Sequence, residues 1–159
     1  MNIRILSVDD DKIQRLKLKG IVSRDLAALA EELHCSFEYH EAKNGQEAVE
    51  VAAKASPHIV LMDIMMPVMD GLAASEQIKA SDHDRAIAVL SSSALQANID
   101  SAQSLGLEFY IVKAESKAET VHVLETVLRR ILTGRPDPEV REDSYIRYFS
   151  GNLKPLLVH

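Results

Sequence analysis

The stretch Ile59 to Gly71 constrains this chain more than any other. An unbroken apolar run, Ile59 to Met62, ends on one carboxylate, Asp63, and Pro67 and the Asp70-Gly71 turn signal follow at once. Apolar runs of this length, closed by turn residues, read as strands buried on both faces of a parallel sheet. In open parallel sheets function collects just past the carboxyl ends of the strands, and Asp63 sits at such an end. Desolvating a charge is costly, so a buried strand has no structural need for a carboxylate at its tip. Asp63 is the first candidate for chemistry.

Other runs repeat the pattern. Ile3 to Val8 stops at Asp9, Asp10 and Asp11; Ser36 to Glu41 alternates and stops before Asn44-Gly45; Ala86 to Leu90 stops at Ser91; Phe109 to Val112 stops at Lys113. Helical spacing fills the intervals. A first helix capped by Asp11 carries Ile13, Leu16, Leu18, Ile21, Val22, Leu26 and Leu29, and is expected to run to about residue 33 with an interruption at Ser23 to Asp25. Further helices are expected over 46–55, 72–80, 95–105 and 116–132, with Gly106 and Gly134 at helix ends. Alternating strands and helices with right-handed crossovers imply an α/β fold: a doubly wound, five-stranded parallel sheet of order 2-1-3-4-5 with helices on both faces.

Two units are expected: a domain over residues 1–132 and a C-terminal extension over 133–159. Pro136, Pro138, Gly151 and Pro155 break the extension, while Tyr145, Ile146, Tyr148 and Phe149 make it too apolar for a solvated tail. A short helix or extended arm is expected there, docking on its own domain or on a partner or second copy.

Charge narrows the partners. A net charge of −6 and a pI near 5.5, with no basic stripe, argue against direct nucleic-acid binding. The single cysteine, Cys35, excludes an internal disulfide and reads as a small buried residue. No run approaches membrane-spanning length, so no membrane contact and a cytoplasmic setting are expected. The six histidines show no ligand spacing, and Met62, Met65, Met66 and Met69 read as core and loop packing.

In a parallel sheet the strand ends share one edge. Asp9, Asp10, Asp63, Ser91 and Lys113 therefore converge. Clustered carboxylates at neutral pH need a cation, and oxygen ligands that leave room for water suit Mg²⁺. Carboxylate, Mg²⁺, ammonium and hydroxyl together suit a phosphoryl group held against a nucleophilic aspartate.

Ile5 to Asp11, Val60 to Asp63 with Met66-Pro67 and Met69 to Gly71, Val89 to Ser92, and Phe109 to Lys113 together resemble the receiver domain of two-component response regulators, over about residues 3–132. The resemblance implies a flavodoxin-like, three-layer fold. It implies that Asp63 accepts a phosphoryl group from a histidine of a sensor kinase or phosphotransfer protein. Asp10 would ligate Mg²⁺ directly, Asp9 largely through water, and the Met65 backbone carbonyl would complete the ligands. Ser91 and Lys113 would each hold a phosphoryl oxygen, and Tyr110 would turn inward as an aromatic switch. The surface of the fourth helix, fifth strand and fifth helix would then change effector contacts or dimerise. The chain would be a phosphoacceptor with at most slow self-dephosphorylation, not a turnover enzyme. It would be either a stand-alone receiver or part of a larger regulator.

Some positions depart from the family. Ala114 follows Lys113 where proline is usual, so either that bond is trans in a different loop or strain is stored there. Ser91 replaces the commoner Thr, and Asp11 reads as a helix cap. Two other readings are open. In a haloacid-dehalogenase-like phosphohydrolase, Asp9 would be the nucleophile and Asp11 the acid. A receiver-like interaction module would act without phosphorylation.

Overall fold

The computed structural model describes residues 1–134, 146–149 and 155–157. Five parallel strands form as expected: β1 Asn2–Val8, β2 Ser36–Ala42, β3 Ile59–Met62, β4 Ala86–Ser91 and β5 Phe109–Val112. A sixth, β6 Ile146–Tyr148, pairs antiparallel with β5. The order is β2-β1-β3-β4-β5-β6, so the expected order 2-1-3-4-5 holds while the sheet gains an unforeseen edge strand. The expected breaks at Pro136, Pro138 and Gly151, and Tyr145, lie outside the described residues.

The alternation along each strand divides the core. Ile3, Ile5, Ile59, Leu61, Ala88, Phe109 and Ile111 pack with α6 (Lys117–Thr133) and the first helical segment. Leu6, Val8, Val60, Met62, Ile87, Val89 and Tyr110 pack with α3 (Gly45–Ala55), α4 (Gly71–Ser81) and α5 (Gln96–Ser104). This period of two places every second side chain against the opposite helical layer. All four residues of β3 are buried, as a central strand covered on both faces requires.

The expected first helix is three pieces: α1 Lys12–Gly20, a π-helical turn Ile21–Asp25, and α2 Ala27–Glu32. The Leu26 amide donates to the Ile21 carbonyl at 2.9 Å, five residues back. Leu18, Ile21, Val22, Leu26 and Leu29 are all buried across this turn, and their spacing of three and four keeps them on one side of the segment. Asp11, Asn44, Asp70 and Ser116 each accept an amide of the first turn of α1, α3, α4 and α6, a contact worth about 1 kcal/mol. Asp11 is therefore a cap.

Candidate functional site

The carboxyl ends of β1, β3, β4 and β5 meet on one edge. Among the described residues, Asp9, Asp10 and Asp63 offer carboxylate oxygens within 4.8 Å of one another. Asp9 and Asp63 are buried, and Asp10 is exposed. The Lys113 ammonium lies 2.8 Å from Asp9 Oδ2 and 3.6 Å from Asp63 Oδ2. The cluster is thus three carboxylates with one amine inside it.

The backbone fixes each member. The Asp63 amide donates to the Val8 carbonyl at 3.0 Å, locking the tips of β3 and β1 together. The Asp63 Oδ1 accepts the Ile64 amide at 2.8 Å. Asp9 accepts the Asp11 amide on its side chain and the Arg15 guanidinium on its carbonyl. Two glycines let the loops close on the site. A Cβ on Gly71 would stand 1.9 Å from the Asp63 carbonyl oxygen, and one on Gly45 would stand 2.4 Å from that of Met69. The backbone of Asp70-Gly71 therefore lies directly against Asp63.

Burial pushes the Asp63 carboxyl above the usual carboxylate range, and the charges of Asp9 and Asp10 push it the same way against Lys113. Burial alone would weaken the Lys113 ammonium, but its hydrogen bond to Asp9 and the charge of Asp63 outweigh this and raise its pKa. The cluster holds excess negative charge that one ammonium does not neutralise. An all-oxygen donor set of this kind can hold a hard cation.

Ser91 is fully buried at the end of β4, and its hydroxyl accepts the Ser93 amide at 3.2 Å. Its carbonyl accepts the Lys113 amide at 2.8 Å, tying the ends of β4 and β5. Tyr110 is also fully buried, and its hydroxyl donates to the Ser93 carbonyl at 2.6 Å. Burial raises its pKa. The Met65 side chain, expected as packing, is 68% exposed. No cis bond occurs among the described residues, so Lys113-Ala114 is trans. Lys113 still reaches both carboxylates.

A groove of about 650 Å³ runs from Asp9 and Lys113 between α1 and the start of α6, past Ile13, Leu16 and Ala114. Ile13 and Leu16 are 62% and 56% exposed, on the side of α1 away from the buried Leu18. Their place in the first turns after the acidic cluster was the available signal, since that position lies over the strand ends. Cys35 is partly buried at the start of β2, and burial raises its thiol pKa.

A family model described as the response regulator receiver domain matches residues 5–125. The transcriptional regulatory protein SrrA of Staphylococcus aureus is 36% identical over 132 residues, covering 82% of this chain and 49% of that protein. The chain spans about half the length of the curated relatives it matches. A two-component response regulator of the LuxR family from Aurantimonas sp. SI85-9A1 superposes with a TM-score of 0.67 at 26% identity, over 86% of this chain and 89% of that one. The phosphorylated cyanobacterial phytochrome response regulator RcpA superposes with a TM-score of 0.70 at 19% identity, over 82% and 94%. A chain of a CheX–CheY–BeF3–Mg complex from Borrelia burgdorferi gives 0.66 at 23% identity, over 79% and 88%. The last two likenesses concern the fold.

Proposed function

The chain belongs to the response regulator receiver domain family, and from that premise we propose that Asp63 is its phosphoacceptor. The observation that carries this is the convergence of Asp63 with Asp9, Asp10 and Lys113 on one sheet edge. An Asp63 carboxylate oxygen attacks the phosphorus of a phosphohistidine. The P–O bond forms as the P–N bond breaks, and the histidine nitrogen leaves with the electron pair and takes up a proton. Lys113 sits where it can neutralise one phosphoryl oxygen. Ser91 supplies a hydroxyl for another, and the Ile64 amide, donating to Asp63 Oδ1, orients the attacking carboxylate.

Asp9, Asp10, Asp63 and the Met65 carbonyl would hold Mg²⁺, which supplies charge neutralisation to the transferring phosphoryl group. The donor is a sensor histidine kinase or a histidine phosphotransfer protein. The output is a change in effector contacts or self-association on the surface of α5, β5 and α6, with Tyr110 as the internal link. The domain is a cytoplasmic signalling module with at most slow self-dephosphorylation. For the phosphohydrolase reading Asp11 would have to act as the acid while its Oδ1 accepts the Ile13 amide as the cap of α1.

A small phosphodonor with Mg²⁺ is expected to add one phosphoryl mass to the chain, mapping to Asp63 and absent from Asp63→Asn. A label on Asp9, or none with an intact fold, would overturn the assignment.

A further inference from the structure

β5 is not a free edge. Unpaired strand edges invite pairing with other chains, and here the chain covers its own. Ile146, Arg147 and Tyr148 pair with Ile111, Tyr110 and Phe109, and the Phe149 amide donates to the Glu108 carbonyl at 3.1 Å. The strand is short but held on both faces of the sheet. On the α6 face the Tyr148 ring lies 5.2 Å from that of Phe109, with the Arg130 guanidinium 3.7 Å above it. On the other face Phe149 joins the buried cluster that contains Tyr110.

A continuous line of contacts leads from this arm to the site. Tyr110 pairs with Arg147 through the backbone, has no exposed surface, and donates its hydroxyl to the Ser93 carbonyl at 2.6 Å. The Ser93 amide donates to Ser91 Oγ at the end of β4. With the arm seated, the Tyr110 ring is enclosed and its hydroxyl is committed to the loop that carries Ser91. Close-packed interiors switch between discrete arrangements instead of deforming smoothly. Arm and loop thus share one arrangement.

We propose that residues 146–149 act in cis as an effector strand, so that docking of the arm on β5 and binding of a phosphoryl group at Asp63 favour one another through Tyr110, Ser93 and Ser91. The inference rests on Asp63 as phosphoacceptor. Thermodynamic linkage makes the coupling reciprocal. A phosphoryl group that draws on the Ser91 hydroxyl holds the loop, the loop holds Tyr110, and Tyr110 holds the seat of Phe149. Loss of the arm weakens phosphoryl binding by the same factor.

Beryllofluoride with Mg²⁺, a phosphoryl mimic, tests this on the full chain. Amide hydrogen exchange of Phe149 is expected to slow roughly fivefold or more when the mimic binds. The amides of Leu156 and Leu157, which donate to Ile131 and Leu132 at the end of α6, report any general tightening of the C-terminal segment. The double variant Tyr148→Ala/Phe149→Ala is expected to bind the mimic weaker by the same factor, read by fluorine NMR. Should that variant lose its fold, Tyr110→Phe serves instead. It keeps the ring, removes the bond to Ser93, and is expected to uncouple Phe149 exchange from the mimic. Binding of the mimic with unchanged or faster Phe149 exchange overturns the effector strand and leaves the phosphoacceptor standing. Equal slowing at Leu156 and Leu157 also overturns it. Failure of the wild-type chain to bind the mimic overturns both.

Discussion

Replacing Lys113 with Met tests the site most directly, because it removes a charge and keeps most of the packing. The ammonium stands 2.8 Å from Asp9 Oδ2 and 3.6 Å from Asp63 Oδ2. At an effective dielectric constant of about 20, each attraction is worth roughly 5 kcal/mol before desolvation is counted. Breaking a buried pair by removing one partner costs about 3–5 kcal/mol. The Lys113 side chain keeps 22% of its exposure, so the lower end of that range, about 3 kcal/mol, is expected in the absence of divalent ions. Added cation should offset this loss, because the same three carboxylates bind it without a competing ammonium. Mg²⁺ at about 100 times its Kd contributes roughly 2.7 kcal/mol. Lys113→Met is therefore expected to bind Mg²⁺ about tenfold or more tighter than wild type, a difference of about 1.4 kcal/mol. Its stability deficit should shrink as Mg²⁺ is added.

The sign with pH is also set. Burial holds the Asp63 carboxyl above its ordinary pKa, and Lys113 opposes that shift. Without the ammonium the shift grows. A carboxyl raised by folding stabilises the fold only while protonated, and this is lost as pH rises through its folded pKa. The metal-free deficit is expected to be smaller near about pH 5 than near about pH 8. Urea unfolding across a Mg²⁺ series reads all of this. A deficit that is constant at every Mg²⁺ concentration, with unchanged Mg²⁺ affinity, would refute Lys113 as the counter-charge of the cluster.

Gly71→Ala places a methyl 1.9 Å from the Asp63 carbonyl oxygen. It should cost more than about 2 kcal/mol in chemical denaturation and lower phosphodonor labelling of Asp63 in the fraction that stays folded. Lys79 is buried in an ion pair with Glu108 and also donates to the carbonyls of Arg85 and His83. Lys79→Met leaves Glu108 unpaired and is expected to lose about 3–5 kcal/mol by urea unfolding, while Mg²⁺ affinity is unchanged. The exposed Met65 side chain follows Asp63 by two residues, where its bulk is expected to hinder attacking water. Met65→Asn is expected to speed loss of the acyl phosphate several-fold, measured by the decay of the phosphorylated mass.

The first helix and the C-terminal extension show where sequence reading stopped. Leu18, Ile21, Val22, Leu26 and Leu29 are spaced as one continuous helix would space them, so the expected interruption at Ser23 to Asp25 takes a form, a π-helical turn over Ile21–Asp25, that the spacing does not signal. At 3.6 residues per turn Ile13 and Leu16 fall on the side of α1 away from Leu18, and they are exposed while Leu18 is buried. An extended arm docking on its own domain is one of the readings open for the extension, but its pairing as β6 is out of reach. A run of three residues has no usable period, and Tyr148 and Phe149 acquire partners only once β5 and Arg130 are brought beside them.

The amino-acid order alone determined the alternation of strands and helices, the sheet order from β2 to β5, and the arrival of Asp9, Asp10, Asp63, Ser91 and Lys113 on one edge. Those follow from local rules: apolar runs closed by turn residues make strands, and parallel strands align their ends. Only the tertiary structure decided that Lys113 reaches Asp9 and Asp63 across a trans bond to Ala114. It also decided that Tyr110 is sealed inward and that the chain's own C-terminal strand occupies the β5 edge. Those are distances and burials between segments remote in sequence. They depend on how two helical layers and an arm close on the sheet, which no local pattern encodes.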